Sequence, residues 1–279
     1  MRKDPLILYH DDQDGFCSAF LLWVAFGGNG EYRPVQYSQA APIDDCAWRD
    51  VYIVDFSYPR DVLIQMEDKS KSIVVLDHHK TAEEELSGLQ FCVFDATKSG
   101  ASLTWDLVGD QIVEKHGRMV ADRILHLVNY VEDRDLWKWS LVGSRAINAY
   151  IYSSPTDFDE WWLVFTGLNW GDEAEPHGQS ILRNTSRQVE VICGHAIEVW
   201  LDGHHVFAVN TPLLQSEVAA KLASNRPFGV AWFQRNDGKF QYSLRSTPTG
   251  ADVSEIAKRH GGGGHARAAG FESSKLLWV

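Results

Sequence analysis

Cysteine is scarce in this sequence. Four residues, Cys17, Cys46, Cys92 and Cys193, are spread through 279, and none forms a C-x-x-C pair. A disulfide framework is therefore not expected, and all four read as small buried hydrophobes. Long apolar runs are also missing. No stretch approaches the ~20 residues needed to cross a bilayer, so a membrane span is not expected. The run Leu6-Ile7-Leu8-Tyr9 is too short for a signal peptide, which makes the cytoplasm the default expectation. Basic charge is in deficit. Lys and Arg total 26 against 38 Asp and Glu, a net charge of −12. This argues against a basic coat for long duplex DNA or RNA. Such an excess of acid suits an ordinary soluble protein, or carboxylates gathered for cations, and only local clustering separates the two. Repeats, low-complexity tracts and long charge runs are absent as well.

What is present is a core-forming composition: 44% hydrophobic residues and eleven Trp. At ~150 residues per domain, the length allows one large domain or two. Short apolar runs at Leu6–Tyr9, Val51–Val54 and Ser72–Leu76, with a further candidate at Val35–Tyr37, alternate with helical stretches at Phe16–Phe26 and Pro59–Lys69. Continuous rather than alternating apolar strands, interleaved with helices, predict a parallel α/β sheet covered on both faces. Helices are expected from Ser99, over Met119–Val131 and over Gln179–Ile192, with an irregular Trp-rich region at Tyr150–Gly178. After about residue 195 the pattern changes to strands at 197–201, 206–209, 229–233 and 240–244, with helices at 216–223 and 252–259. The division expected is 1–178, a linker helix at 179–194, and a smaller α/β domain with a mixed sheet at 195–279, with a cleft between the domains.

Three successive strands deliver acids or histidines at their carboxyl ends, where open α/β sheets bind ligands. They are His10/Asp12/Asp14, Asp55, and Asp77/His78/His79. Buried imidazoles and acids after an apolar strand are costly unless partnered. Carboxylate oxygens suit hard divalent cations, and imidazole suits Mn, Fe or Zn. Asp133, with Glu132 and Asp135 as rivals, ends a predicted helix and is a further candidate ligand. Six such ligands suit two divalent ions ~3.5–4 Å apart that clamp a phosphate and generate hydroxide near neutral pH. A second constellation is Gly261 to Gly264 followed by His265, Ala266 and Arg267. Its glycines allow close ligand approach, while His265 and Arg267 supply donors for phosphate. Arg245-Ser246 is a companion anion clamp. Trp105, Trp137, Trp139, Trp161, Trp162 and Trp170 could stack bases, but most are expected in the core.

Together these motifs resemble the DHH phosphoesterase superfamily with its DHH-associated C-terminal domain, over nearly the whole chain. His10-x-Asp12-x-Asp14-Gly15, Asp55, Asp77-His78-His79 and Asp133 are similar to its four motifs, and Gly261–His265 to its GGGH-type motif. The resemblance implies two Mn²⁺ ions, with Mg²⁺ or another divalent ion as substitutes. His10 and Asp12 would bind one ion. Asp14, His78 and Asp133 would bind the other, with Asp55 bridging. His79 would face the scissile phosphate and Asp77 would support the histidines. Arg245, Ser246, Gly262, Gly263, Gly264, His265 and Arg267 would hold the far phosphate or terminal nucleotide. The implied activity is hydrolysis of short RNA or linear dinucleotides, in the manner of an oligoribonuclease. The alternative is a phosphomonoesterase on 3′,5′-bisphosphate nucleotides, or an exopolyphosphatase. The missing basic track argues against a processive DNA exonuclease, and a homodimer is left open.

Overall fold

The computed structural model describes residues 4–37, 39–167 and 170–278. They divide into two compact units, Met1–Ile181 and Leu182–Val279.

Unit 1 opens β1 (Leu6–His10), α1 (Gln13–Phe26), β2 (Glu31–Val35), β3 (Asp50–Val54), α2 (Arg60–Lys69), β4 (Ser72–Asp77), α3 (Lys80–Leu86) and β5 (Cys92–Phe94). The five strands form one parallel sheet in the order β2-β1-β3-β4-β5. Leu6 and Leu8 pack on one face with Ile53, Leu63 and Met66. Ile7 and Tyr9 pack on the other with Phe20, Leu21 and Val54. Because strand side chains alternate between faces, this sharing explains the unbroken apolar runs. The second strand differs from expectation: it occupies Glu31–Val35 rather than Val35–Tyr37.

Helices α4 (Gly100–His116), α5 (Arg118–Asp135), α6 (Ser144–Ser153) and α7 (Phe158–Gly167) follow. The Trp-rich region expected to be irregular is mostly helical, and residues 168–169 within it lie outside the described residues. Its aromatic side chains supply the reason. Trp161 and Phe165 are fully buried in the core formed with α1 and α5, so tertiary packing imposes helix on residues of modest intrinsic preference. A π-helical turn at Trp170–Ala174 leads into α8 (Glu175–Cys193), which starts four residues before the predicted connecting helix.

Unit 2 contains β6 (Ile197–Leu201), β7 (His204–Asn210), α9 (Gln215–Leu222), β8 (Gly229–Gln234), β9 (Phe240–Arg245), α10 (Val253–Arg259), β10 (Gly263–His265) and β11 (Ala268–Ser273). Its six-stranded sheet runs β10-β11-β9-β8-β7-β6 and is mixed: β7 and β8 are parallel and the other pairs antiparallel. All four cysteines are free thiols. Among the described residues no helix is long and apolar enough to cross a membrane.

Candidate metal centre

The strand order 2-1-3-4-5 reverses direction between β1 and β3, and a crevice opens beyond the carboxyl ends at such a point. The polar residues converge there. His10 ends β1, and Asp12 caps α1, its Oδ1 accepting the Gly15 amide at 3.0 Å. Gly15 has to be glycine, because a Cβ there would lie 2.1 Å from the His10 carbonyl oxygen. Asp55 follows β3 with φ of 55°. This left-handed backbone is unfavourable for most residues and tolerated by aspartate, and such strain concentrates at working sites. Asp77 ends β4, and His78 and His79 follow.

Asp55 joins the two halves of the site. Its Oδ1 lies 3.0 Å from His78 Nε2, and its Oδ2 lies 3.7 Å from His10 Nδ1. His10 Nδ1 is also 2.9 Å from Asp12 Oδ2. His78 Nε2 is 3.8 Å from Asp14 Oδ2 and 3.6 Å from Asp135 Oδ2. Among the sets of ligand atoms drawn together are His10/Asp12/Asp55, Asp14/Asp55/His78 and Asp55/Asp77/His79, with Asp55 common to all three. The Asp14 carboxylate is fixed by the start of α4, accepting the Gly100 amide at 2.6 Å and the Ala101 amide at 3.0 Å. The sequence reading overlooked Gly100. A Cβ at this position would lie 2.4 Å from Asp55 Cβ, so only glycine lets α4 begin against the site. The signal was there in Ser99-Gly100, a capping serine with a glycine beside it, and Ser99 Oγ does accept the Ser102 amide at 3.2 Å.

The fourth acid stands in a different setting. The Asp133 carboxylate faces the loop between α5 and α6. There it accepts the Ser140 amide at 2.8 Å, the Ser140 hydroxyl at 2.6 Å and the Ser144 hydroxyl at 2.5 Å. The next position but one belongs to the cluster: Asp135 Oδ2 faces His78 and is buried without a hydrogen-bond partner. The helix continues to Asp135 rather than ending near Val131, and two positions along a helix turn the side chain by about 200°. Asp133 and Asp135 therefore face different surroundings.

Asp77 serves the histidines. Its Oδ1 accepts the His78 amide at 2.7 Å and lies 2.6 Å from His79 Nδ1, while Oδ2 accepts the Ser57 hydroxyl at 2.7 Å. Burial alone would raise the Asp77 carboxyl, but His79 and Ser57 hold it well below the usual range. Burial opposes charge on His79, and Asp77 more than offsets this and raises it. The same contest pushes His10 up to about 12 through Asp12 and Asp55. Other members are strained the opposite way. Burial, Asp55 and Asp135 drive Asp14 well up. Burial, with Asp55 and Asp12, outweighs His78 and lifts Asp135 to about 6. Carboxylates pushed up by their neighbours, together with an unpartnered buried carboxylate oxygen, form a site short of positive charge. Its mixture of carboxylates and imidazoles fits divalent cations of the Mn²⁺ kind.

In unit 2, Arg245 and His265 both pair with Ala268, from either side of β11. Directly opposed residues share a face, so the two cationic or polar side chains flank one small residue, about 10 Å apart across two strand spacings. Arg245 Nη2 donates to Ser216 Oγ at 2.7 Å. The glycines have a more internal purpose than the sequence suggests. The Gly261 and Gly262 amides cap α10, donating to Lys258 and Ala257 at 3.0 and 2.9 Å. A Cβ on Gly262 would lie 2.1 Å from the Gly270 carbonyl oxygen. Gly263 and Gly264 lie in the edge strand β10. The expected anion contacts Arg267 and Ser246 are turned to structure. Arg267 donates to the carbonyls of Gly250 and Pro248, each at 2.8 Å. Ser246 is buried and donates to the Ala266 carbonyl at 3.3 Å.

Comparison with known proteins agrees with this arrangement. Residues 211–276 match the DHHA1 domain. Over 99% of its length the chain is 27% identical to the uncharacterized protein R106 of Acanthamoeba polyphaga mimivirus, covering 69% of that protein. It is 22% identical to the oligoribonuclease NrnB of Bacillus subtilis, over 94% of this chain and 71% of that one. The structure of RecJ with Mn²⁺ from Thermus thermophilus superposes with a TM-score of 0.52 at 14% identity, over 96% of this chain and 49% of that one, which establishes a shared fold. The fold and the polar cluster define a metal-dependent phosphoesterase. At its C-terminal end the chain carries a match to the DHHA1 domain, and over nearly its full length it is similar to the relatives named above.

Proposed function

We propose that this phosphoesterase is a phosphodiesterase, hydrolysing short oligonucleotides or linear dinucleotides with the help of two divalent ions, Mn²⁺ being the best match. The observation that carries this reading is the sharing of Asp55 between two ligand sets at the β1/β3 switch point. His10, Asp12 and Asp55 would hold one ion, and Asp14, Asp55, His78 and Asp135 the other. Bound there, such ions lower the pKa of water and neutralise charge on a phosphate. The protein's own residues do the rest. Asp77 fixes the His79 ring through Nδ1 and raises its hold on a proton, which suits it to hydrogen-bond a phosphate oxygen and to pass a proton to the departing oxygen. Ser57 holds Asp77 in place for that task. In unit 2, Arg245 and His265 are suited to a second phosphate or a terminal nucleotide.

The oligoribonuclease relative supports a short nucleic-acid substrate, and the net charge of −12 disfavours a long one. The test is hydrolysis of a labelled dinucleotide after chelation, beside a 3′,5′-bisphosphate nucleotide and polyphosphate. Chelation should abolish dinucleotide cleavage and Mn²⁺ should restore it. Cleavage that persists in chelator would end the metal mechanism. Turnover confined to the bisphosphate or to polyphosphate would end the diesterase assignment.

A further inference from the structure

On one side of the metal centre stands Tyr37. It is 59% exposed, yet its ring is held by Phe56 at a centroid distance of 4.6 Å and lies 5.6 Å from His10 and 6.2 Å from His79. An open aromatic ring braced by a second one, beside the histidines that would meet a phosphate, offers a flat face to whatever the phosphate carries. Beyond Asp12 and Asp135 is a small recess of about 20 Å³ lined also by Arg134, Asn148 and Tyr152. Tyr152 is 48% exposed, and the Arg134 guanidinium lies 3.8 Å from its ring centre. Asn148 is 2% exposed. Its Nδ2 donates to the carbonyls of Tyr130 and Ser144 at 2.9 and 3.0 Å, which fixes the orientation of the amide, and its Oδ1 has no partner. A buried acceptor without a donor, in the lining of a recess, calls for a ligand donor.

We infer that the metal centre lies between two base-binding platforms, Tyr37 on one side and the Arg134–Tyr152 pair with Asn148 on the other, so that the substrate carries a nucleobase on each side of the scissile phosphodiester. This rests on the diesterase reading and narrows it. Aromatic and guanidinium planes both stack bases, and they do so with little dependence on base identity. Asn148 Oδ1 accepts from an exocyclic amino group or a ribose hydroxyl. Inorganic polyphosphate has nothing to place on either platform.

The test uses the full chain with diadenylate and two analogues, each with one base replaced by an abasic ribose. Turnover is measured in Mn²⁺. Stacking is read separately, in Ca²⁺, from quenching of 2-aminopurine placed at either position. The wild type should prefer diadenylate over each analogue by on the order of 10- to 100-fold in kcat/KM, from the usual strength of base–aromatic stacking. Tyr37→Leu should erase the preference at one base and Tyr152→Leu at the other, and each should abolish quenching on its own side. Tyr37→Trp should keep both. Mn²⁺ affinity of each variant, measured alongside, separates a lost platform from a disturbed metal centre. The inference is overturned by a wild type that shows neither preference nor quenching. It is equally overturned if Tyr37→Leu lowers all three substrates in proportion, because the ring then only shields the histidines. If the wild type cleaves no dinucleotide but hydrolyses bisphosphate or polyphosphate, the diesterase reading itself has failed. Quenching by 2-aminopurine mononucleotide would then still report on the platforms.

Discussion

Asp133 and Asp135 provide the sharpest test of the site, because their substitution should have opposite consequences. Asp133→Ala removes the acceptor for the Ser144 hydroxyl, which is buried, and for the Ser140 amide and hydroxyl, which can reach water. An unsatisfied buried group costs about 1–3 kcal/mol, and lost hydrogen bonds to a charge add to this, so a loss of about 2–4 kcal/mol is expected. For a unit of this size that lowers the Tm by roughly 5–15 °C. Asp135→Asn removes charge from a cluster in which burial and neighbouring carboxylates already disfavour it. The metal-free variant should therefore melt at or above the wild-type temperature. The order reverses when Mn²⁺ is added. Mn²⁺ at 100 times its Kd should stabilise the wild type by about 2.7 kcal/mol. Asp135→Asn should lose about half of that gain or more, as expected for a tenfold or larger fall in affinity, while Asp133→Ala should keep it. Thermal melts in chelator and across a Mn²⁺ titration measure both quantities. If Asp133→Ala leaves the metal-free melt unchanged and removes the Mn²⁺ response, while Asp135→Asn keeps it, the assignment of Asp135 to the metal centre is refuted.

Three further outcomes follow from the geometry. Gly100→Ala should cost about 1–3 kcal/mol through overpacking and weaken Mn²⁺ binding, since the new Cβ would collide with Asp55; calorimetric titration checks this. Arg267→Lys keeps the charge but loses the planar fork over the Pro248 and Gly250 carbonyls. It should destabilise unit 2 by about 1–2 kcal/mol and speed amide exchange around residues 246–253. Asp202 lies 2.8 Å from both Arg259 and His260, which overcome the effect of burial and hold its carboxyl below the ordinary range. Its contribution is present above the unfolded carboxyl pKa of about 4 and is lost as pH falls through the lower folded value. Melts should show Asp202→Asn less stable than wild type at pH 7, with the gap closing toward pH 2. Asparagine also tolerates the left-handed backbone at this position, so the comparison isolates the charge.

The apolar runs of β1, β3 and β4 could be read directly, because a strand buried on both faces has no polar positions to blur it. Acids and histidines at the ends of those runs could be read for the same reason: a charge placed next to a buried strand needs a partner. The sequence alone therefore determined that His10, Asp12, Asp14, Asp55 and His78 would meet at one sheet edge. It could not choose between Asp133 and Asp135. That choice depends on how far α5 runs and which way each carboxylate points, and a hydrogen-bonded loop at Ser140–Ser144 captures the first and leaves the second to the cluster. The need for glycine at 100 was hidden as well, since it is set by the approach of Asp55, 45 residues earlier in the chain. In unit 2 the glycine run proved to cap α10 and to admit the neighbouring strand, because only the folded hairpin reveals which backbone comes close. Local chemistry fixed which groups the protein brings to its metal centre. Tertiary packing decided which of them point inward, because direction depends on contacts between residues far apart in the chain.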